Sequence, residues 1–185
     1  MLRNRIRQVP VTIRETHYVH EYLILPDVAA VLAETPEGVV LVEQYRPTLG
    51  RRILELPAGR LRRGEDPVAG ARRELQEETG LIAGPMRFLA RFYPSVGVAR
   101  NKCHLYYTKN PQLGEMHWDA TEDIVVTKVP IDEIPTMLLD GRAADSKTHL
   151  GLVYFLVSQG WVWQHGHWKA PGTEARRRPQ PVERP

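Results

Sequence analysis

A chain of 185 residues with 42% hydrophobic content is long enough for one domain with a substantial core. No stretch approaches the roughly 20 apolar residues needed to cross a bilayer, and the opening MLRNRIRQVP is charged and lacks an apolar signal core, so a cytoplasmic protein without a membrane partner is expected. The single cysteine, Cys103, excludes an intrachain disulfide framework, and much of the net charge of +3 lies in Arg176, Arg177 and Arg178, so no nucleic-acid partner is read from it.

In chain order, residues 9–13 and 18–25 read as strands of an N-terminal antiparallel unit. Residues 28–33 and 39–45 follow around the turn Thr35-Pro36-Glu37-Gly38, a hairpin signal. Residues 52–56 form a short strand. Asp66 then caps a helix with Pro67 in its first turn. Val68, Ala71 and Leu75 recur at helical spacing, and Gly80 terminates the helix in the left-handed conformation. Residues 86–93, 102–108 and 124–129 are expected strands, and Cys103 sits in one of them as a buried, inert thiol. Pro130 to Pro135 opens a helix through Leu139, and a last apolar helix runs from Ser146 to about Ser158. From Gly160 the composition shifts to aromatics, Pro and Arg. The aromatic part is expected to dock on the domain, and residues 171–185 to be disordered. His165 and His167, beside glycine in this terminal segment, are too few to make a metal site.

The chemistry is concentrated in residues 59–81, GRLRRGEDPVAGARRELQEETGL. On the expected helix, Glu74, Glu77 and Glu78 are related by three and four residues, so their carboxylates project from one side. Like charges that close raise one another's pKa, and a hard divalent cation resolves the repulsion. An all-oxygen ligand set favours Mg²⁺ or Mn²⁺ over zinc. An acidic helix face is ordinarily only solvated. That reading leaves unexplained why Gly59, Glu65, Arg73, Gly80 and Leu81 stand in register with the acids. Arg73 can hold Glu65 and Glu77 through paired hydrogen bonds and so orient them.

The segment resembles the Nudix hydrolase signature G-x5-E-x7-R-E-U-x-E-E-x-G-U, with U aliphatic, at every constrained position: Gly59, Glu65, Arg73, Glu74, Leu75, Glu77, Glu78, Gly80 and Leu81. The flanks are similar to ADP-ribose pyrophosphatases and related nucleotide-sugar hydrolases. They carry Gln44-Tyr45-Arg46-Pro47, then Glu55-Leu56-Pro57-Ala58-Gly59, and SKTHLGL at residues 146–152 resembles the D-x-K-T-x-x-G-L start of the family's final helix. The likeness covers about residues 28–157.

The resemblance implies an α/β Nudix fold, a mixed β-sheet sandwiched between helices, with the small N-terminal strand unit added. Residues 1–27 would form that unit and serve dimerisation, residues 28–159 the Nudix domain, and residues 160–185 a tail. It further implies metal-dependent hydrolysis of ADP-ribose to AMP and ribose 5-phosphate by a homodimer. Arg46 would contact the diphosphate. Ala58, through its carbonyl, with Glu74 and Glu78 would hold Mg²⁺ or Mn²⁺, and Glu77 would share a metal or lie just outside. A base is expected in the loop GEMHWDATEDIVV, residues 114–126, which offers Glu115, Asp119, Glu122 and Asp123. Glu122 ranks first, because it immediately precedes a strand, and Glu115 second. One departure bears on specificity: the family's Ser-Pro-Gly loop is here Pro94-Ser95-Val96-Gly97, with Val96 in the place of proline. ADP-glucose, GDP-mannose or another nucleoside diphosphate sugar is therefore the alternative substrate. A non-catalytic ligand sensor is a further alternative, against which the intact Glu74, Glu77 and Glu78 argue. Removal of RNA caps would require basic residues interleaved with aromatics around the motif, and these are lacking.

Overall fold

The computed structural model describes residues 6–115 and 123–172. The loop acids Asp119 and Glu122, and all but the first two residues of the segment expected to be disordered, lie outside the described residues.

An N-terminal hairpin, β1 (Ile6–Ile13) and β2 (Thr16–Ile24), is antiparallel, and β2 also pairs in parallel with the short β9 (Ala99–Arg100). Both strands of the hairpin are mostly exposed. The main sheet begins with β3 (Val28–Thr35) and β4 (Gly38–Arg46), which are apolar without interruption over residues 28–33 and 39–42. Such runs demand burial on both faces. Ala30, Leu32, Val39 and Leu41 face one cluster, while Ala29, Val31, Ala33 and Val40 face a second on the other side. The first cluster is closed by α2 (Ile134–Leu139) and α3 (Ser146–Ser158), through Met137, Leu152, Phe155 and Leu156. The second is closed by α1 (Pro67–Thr79), through Ala71 and Leu75. Each fully buried leucine in these layers contributes about 2 kcal/mol of burial free energy. This is the expected α/β sandwich.

Among the described residues the central sheet has the order β12-β4-β3-β10-β8, where β8 is Arg87–Phe92, β10 is Cys103–Lys109 and β12 is Ile124–Val129, while the short β7 (Leu81–Ile82) and β11 (Gln112–Leu113) pair apart from it. Only β3 and β10 of these neighbours run parallel. The β3–β4 hairpin is tight at its turn. Gly38 there has φ +135°, and a Cβ would overlap the Val129 carbonyl, which explains why glycine occupies it. Past Ala33 and Val40 the two strands splay. The gap is filled by the next segment: β5 (Arg51–Glu55) pairs with β4, and β6 (Ala58–Arg60) pairs with β3. The Pro57 carbonyl accepts from Val31 N–H at 2.9 Å. This inserted segment lies between the helical layers and carries the residues on which the site is built.

Three details depart from the sequence reading. The helix α2 starts at Ile134 rather than Pro130, because residues 131–133 form turns that precede it. Val68 is only partly buried, so the apolar stripe of α1 reduces to Ala71 and Leu75, with Glu74 and Glu78 buried beside them. The aromatic tail forms a hairpin, β13 (Val162–Gln164) with β14 (His167–Lys169), in which Trp163 meets Trp168 edge-on. Trp161 and Trp168 pack against the core cluster of α3. The Cys103 thiol is buried, and that burial pushes its pKa up to about 12, consistent with an inert thiol.

Candidate active site

Helix α1 is punctuated as its sequence dictates. The Asp66 side chain accepts from Ala69 N–H at 3.2 Å, Pro67 occupies the first turn, and Gly80 closes the helix at φ 69° with its N–H bonded to the Gln76 carbonyl. Between these ends the acidic residues divide into two sets. Glu74 and Glu78, four residues apart, turn inward to β6 and are 9% and 5% exposed. Glu78 Oε2 accepts from Ala58 N–H at 3.0 Å. Glu74 lies against Gly59 so closely that a Cβ there would overlap its carboxylate, which is the physical reason for glycine at this motif position. Glu77 faces outward and receives Arg62 at 3.3 Å.

Arg73 ties these groups together. Its Nε and Nη2 donate to the two oxygens of Glu65 at 2.8 and 3.0 Å. Its Nη1 donates to Glu74 and Glu77, each at 2.7 Å, and Nη2 also reaches the Arg60 carbonyl at 3.2 Å. The guanidinium is only 17% exposed. Hydrogen bonds to Glu65, Glu77 and Glu74 outweigh its burial and raise its pKa further.

Beside this centre stands a second charged network that the sequence reading did not single out. Arg46 grips Glu55 through Nε to Oε1 and through Nη2 to Oε2 at 2.8 Å. Lys147 donates to Glu55 Oε2 and, at 3.0 Å, to Asp145 Oδ1. Glu55 is 3% exposed. Its burial favours the neutral acid, but the hydrogen bonds and charges of Arg46 and Lys147 prevail and lower its pKa. Burial likewise works against charged Lys147, and Asp145 and Glu55 reverse it. In the sequence Glu55 and Lys147 stand within E-L-P-A-G and S-K-T with no spacing that links them. The available signal was a charged residue directly before an apolar pair in the first motif, and a lysine at the second position of an apolar helix in the other.

Of the sequence-derived candidates, Ala58, Glu74 and Glu78 are brought together, and Arg46 stands at the neighbouring edge with Glu78 contributing to its electrostatic surroundings. Glu77 shares the Arg73 Nη1 with Glu74 and also meets Arg62. Among the described residues no three His, Cys, Asp or Glu side chains are close enough to hold an ion unaided. Glu115 is reached at its carbonyl by Gln76 Nε2 of α1 at 3.5 Å, and Asp123 is held by Arg52, so the chain on either side of residues 116–122 is anchored to α1 and to β5. No helix among the described residues is long and apolar enough to cross a membrane.

The chain is an α/β protein in which two buried carboxylates of one helix are turned onto an inserted strand of a mixed sheet. Residues 24–150 match the NUDIX domain, and the chain belongs to the Nudix family. It is 38% identical over 137 residues to a methanol dehydrogenase activator of Bacillus methanolicus, a match covering 72% of this chain and 74% of that one. It is 34% identical over 137 residues to an ADP-ribose pyrophosphatase of Bacillus subtilis (strain 168), again covering 72% and 74%. In fold it is similar to a solved ADP compounds hydrolase, with TM-score 0.75 at 18% identity over 84% of this chain and 87% of that structure. Members of the family are hydrolases of phosphorus anhydrides that generally use divalent metal ions.

The Arg73 network has a pH signature. Hydrogen bonds from Arg73 pull the Glu65 carboxyl from its ordinary 4.5 to about 2, against a smaller opposing effect of burial. A folded-state pKa below the unfolded one gives stability that is complete above about pH 4.5 and lost as pH falls toward about 2. The melting-temperature gap between the native chain and Glu65→Gln, measured without added metal, is therefore expected to be largest near neutral pH and to close across that acid window. A gap that stays constant through the window would contradict the assignment.

Proposed function

We propose that this Nudix hydrolase cleaves ADP-ribose to AMP and ribose 5-phosphate with Mg²⁺ or Mn²⁺. The observation that carries the reading is the convergence of Glu74 and Glu78 on the Ala58–Gly59 backbone, beside the Arg46–Glu55 arm. Two carboxylates and a backbone carbonyl make a hard, all-oxygen donor set, and the adjacent guanidinium suits bidentate recognition of a diphosphate. Relatedness to an ADP-ribose pyrophosphatase supports the same substrate.

In this reading Ala58 gives its carbonyl and Glu74 and Glu78 their carboxylates to the cation, while Glu77 shares it or lies just outside. A bound divalent cation supplies charge stabilisation at the phosphate oxygens and a more acidic water. Arg46 orients the diphosphate. Glu122 takes the proton of the attacking water, with Glu115 the second candidate. The water oxygen bonds to one phosphorus as the bridging oxygen leaves with the other phosphate. Val96, 79% exposed in the turn after β8 where the family pattern has proline, favours another nucleoside diphosphate sugar such as ADP-glucose or GDP-mannose as the second reading.

A panel of nucleotide sugars, dinucleotides and nucleoside triphosphates compared by kcat/KM with Mg²⁺ or Mn²⁺ tests the substrate. ADP-ribose is expected to lead. Another nucleotide sugar in first place selects the second reading, and a preference for triphosphates overturns both.

Substitutions test the roles. Glu78→Gln should nearly abolish turnover and weaken Mn²⁺ binding in calorimetry, with the fold retained. Glu122→Gln should lower kcat by about two orders of magnitude with little change in KM, the scale of general-base assistance. The matched Glu115→Gln should stay near native. The reverse pattern would move the base to Glu115.

We further propose that residues 1–27 serve dimerisation. Among the described residues β1 pairs with β2 alone, and Ile6, Val9, Ile13, Tyr18 and Val19 are exposed on the hairpin. Open strand edges and apolar side chains seek cover. Sedimentation should give a dimer, and only monomer at micromolar concentration would count against it.

A further inference from the structure

Arg46, Glu55, Lys147 and Asp145 form a chain of contacts that runs from the edge of the site to the start of α3. Its members are graded in exposure. Arg46 is 39% exposed, whereas Lys147 and Glu55 are 14% and 3% exposed. The buried end is fixed to a rigid element twice. Asp145 accepts from the backbone N–H groups of Lys147 and Thr148 at 3.0 and 3.3 Å, capping α3. Thr148 Oγ1 in turn accepts from Leu56 N–H at 2.8 Å, one residue beyond Glu55.

The charges in this chain balance: two cations against two carboxylates. Without Lys147, two acids would face Arg46 alone. Its guanidinium would then be consumed in neutralising Glu55, and the local field would shift by one negative unit toward an incoming anion. An uncompensated buried carboxylate is costly, so Glu55 would also be free to draw Arg46 inward or to abandon its present geometry. Lys147 occupies Glu55 Oε2 from the helix side, leaving the guanidinium held in a fixed direction with charge to offer.

We propose that Lys147 is a positioning residue for the phosphate-binding guanidinium of Arg46, acting through Glu55 and itself fixed by Asp145. The proposal rests on the reading of Arg46 as the diphosphate contact. A purely structural tie would stabilise the fold without a privileged link to Arg46, and that difference is measurable.

The test is a double-mutant cycle on the full-length protein, with the best-cleaved substrate of the panel. Lys147→Met is expected to raise KM about tenfold while kcat changes by less than about threefold, the pattern of lost ground-state binding. In the Arg46→Met background the same substitution should change KM by less than about twofold, because its route of action is gone. Lys147→Arg, which keeps the charge, should recover most of the loss. Should Lys147→Met not fold, Asp145→Asn carries the same cycle, since the asparagine oxygen keeps the helix cap while the negative charge that fixes Lys147 is removed. Independent, multiplying effects of the two substitutions would overturn the proposal, as would an unchanged KM in Lys147→Met or in Arg46→Met. Failure of the ADP-ribose reading shows separately, as a different leading substrate for the native chain, and the cycle is then read on that substrate.

Discussion

The site depends on one guanidinium that allows carboxylates to be crowded. Arg73 meets Glu65, Glu74 and Glu77 and the Arg60 carbonyl at once, from a position largely removed from solvent. Without it, acids three and four residues apart would repel one another in a largely buried setting. The hydrogen bonds are charge-assisted, and the pair with Glu65 is bidentate, so direction is fixed as well as energy. That direction turns Glu74 toward Gly59 and leaves Glu78 to meet Ala58 N–H.

A second constraint is the splaying of β3 from β4. Because the hairpin opens beyond its turn, the segment from β5 to β6 can pair with both strands, and its backbone becomes part of the sheet. Short paired strands are stiffer than a surface loop, which suits a segment that must present backbone groups at fixed positions. The same insertion separates the two charged networks. Arg73 organises the α1 side, and Glu55 with Lys147 organises the α3 side. The two helices lie on opposite faces of the sheet, so the site draws on both layers although the signature segment belongs to one.

Local structure was legible wherever neighbouring residues decide it. The cap at Asp66, the terminator at Gly80, the hairpin around residues 35–38 and the strand at residues 124–129 all follow from short-range chemistry, and the structure has them where the sequence put them. Less legible were features set by distant partners. Periodicity assigned Val68 to the buried stripe, but Glu74 and Glu78 fill the inner face because the inserted strand supplies polar partners there. The docking of the aromatic tail follows its composition, whereas its hairpin depends on the pairing of β13 with β14, with Trp161 and Trp168 packed against the core cluster.

The sequence by itself determined the family, the α/β sandwich and the identity of the acids on α1, because spacing along one helix and apolar runs for a two-faced sheet are local patterns. Only the tertiary structure decided how those acids divide, with Glu74 and Glu78 turned inward and Glu77 outward, and which residues surround Arg46. Glu55 and Lys147 are 92 positions apart and meet because β5 is drawn into the sheet beneath the first turn of α3. Contacts of that kind arise from how layers pack, and no spacing along the chain records them.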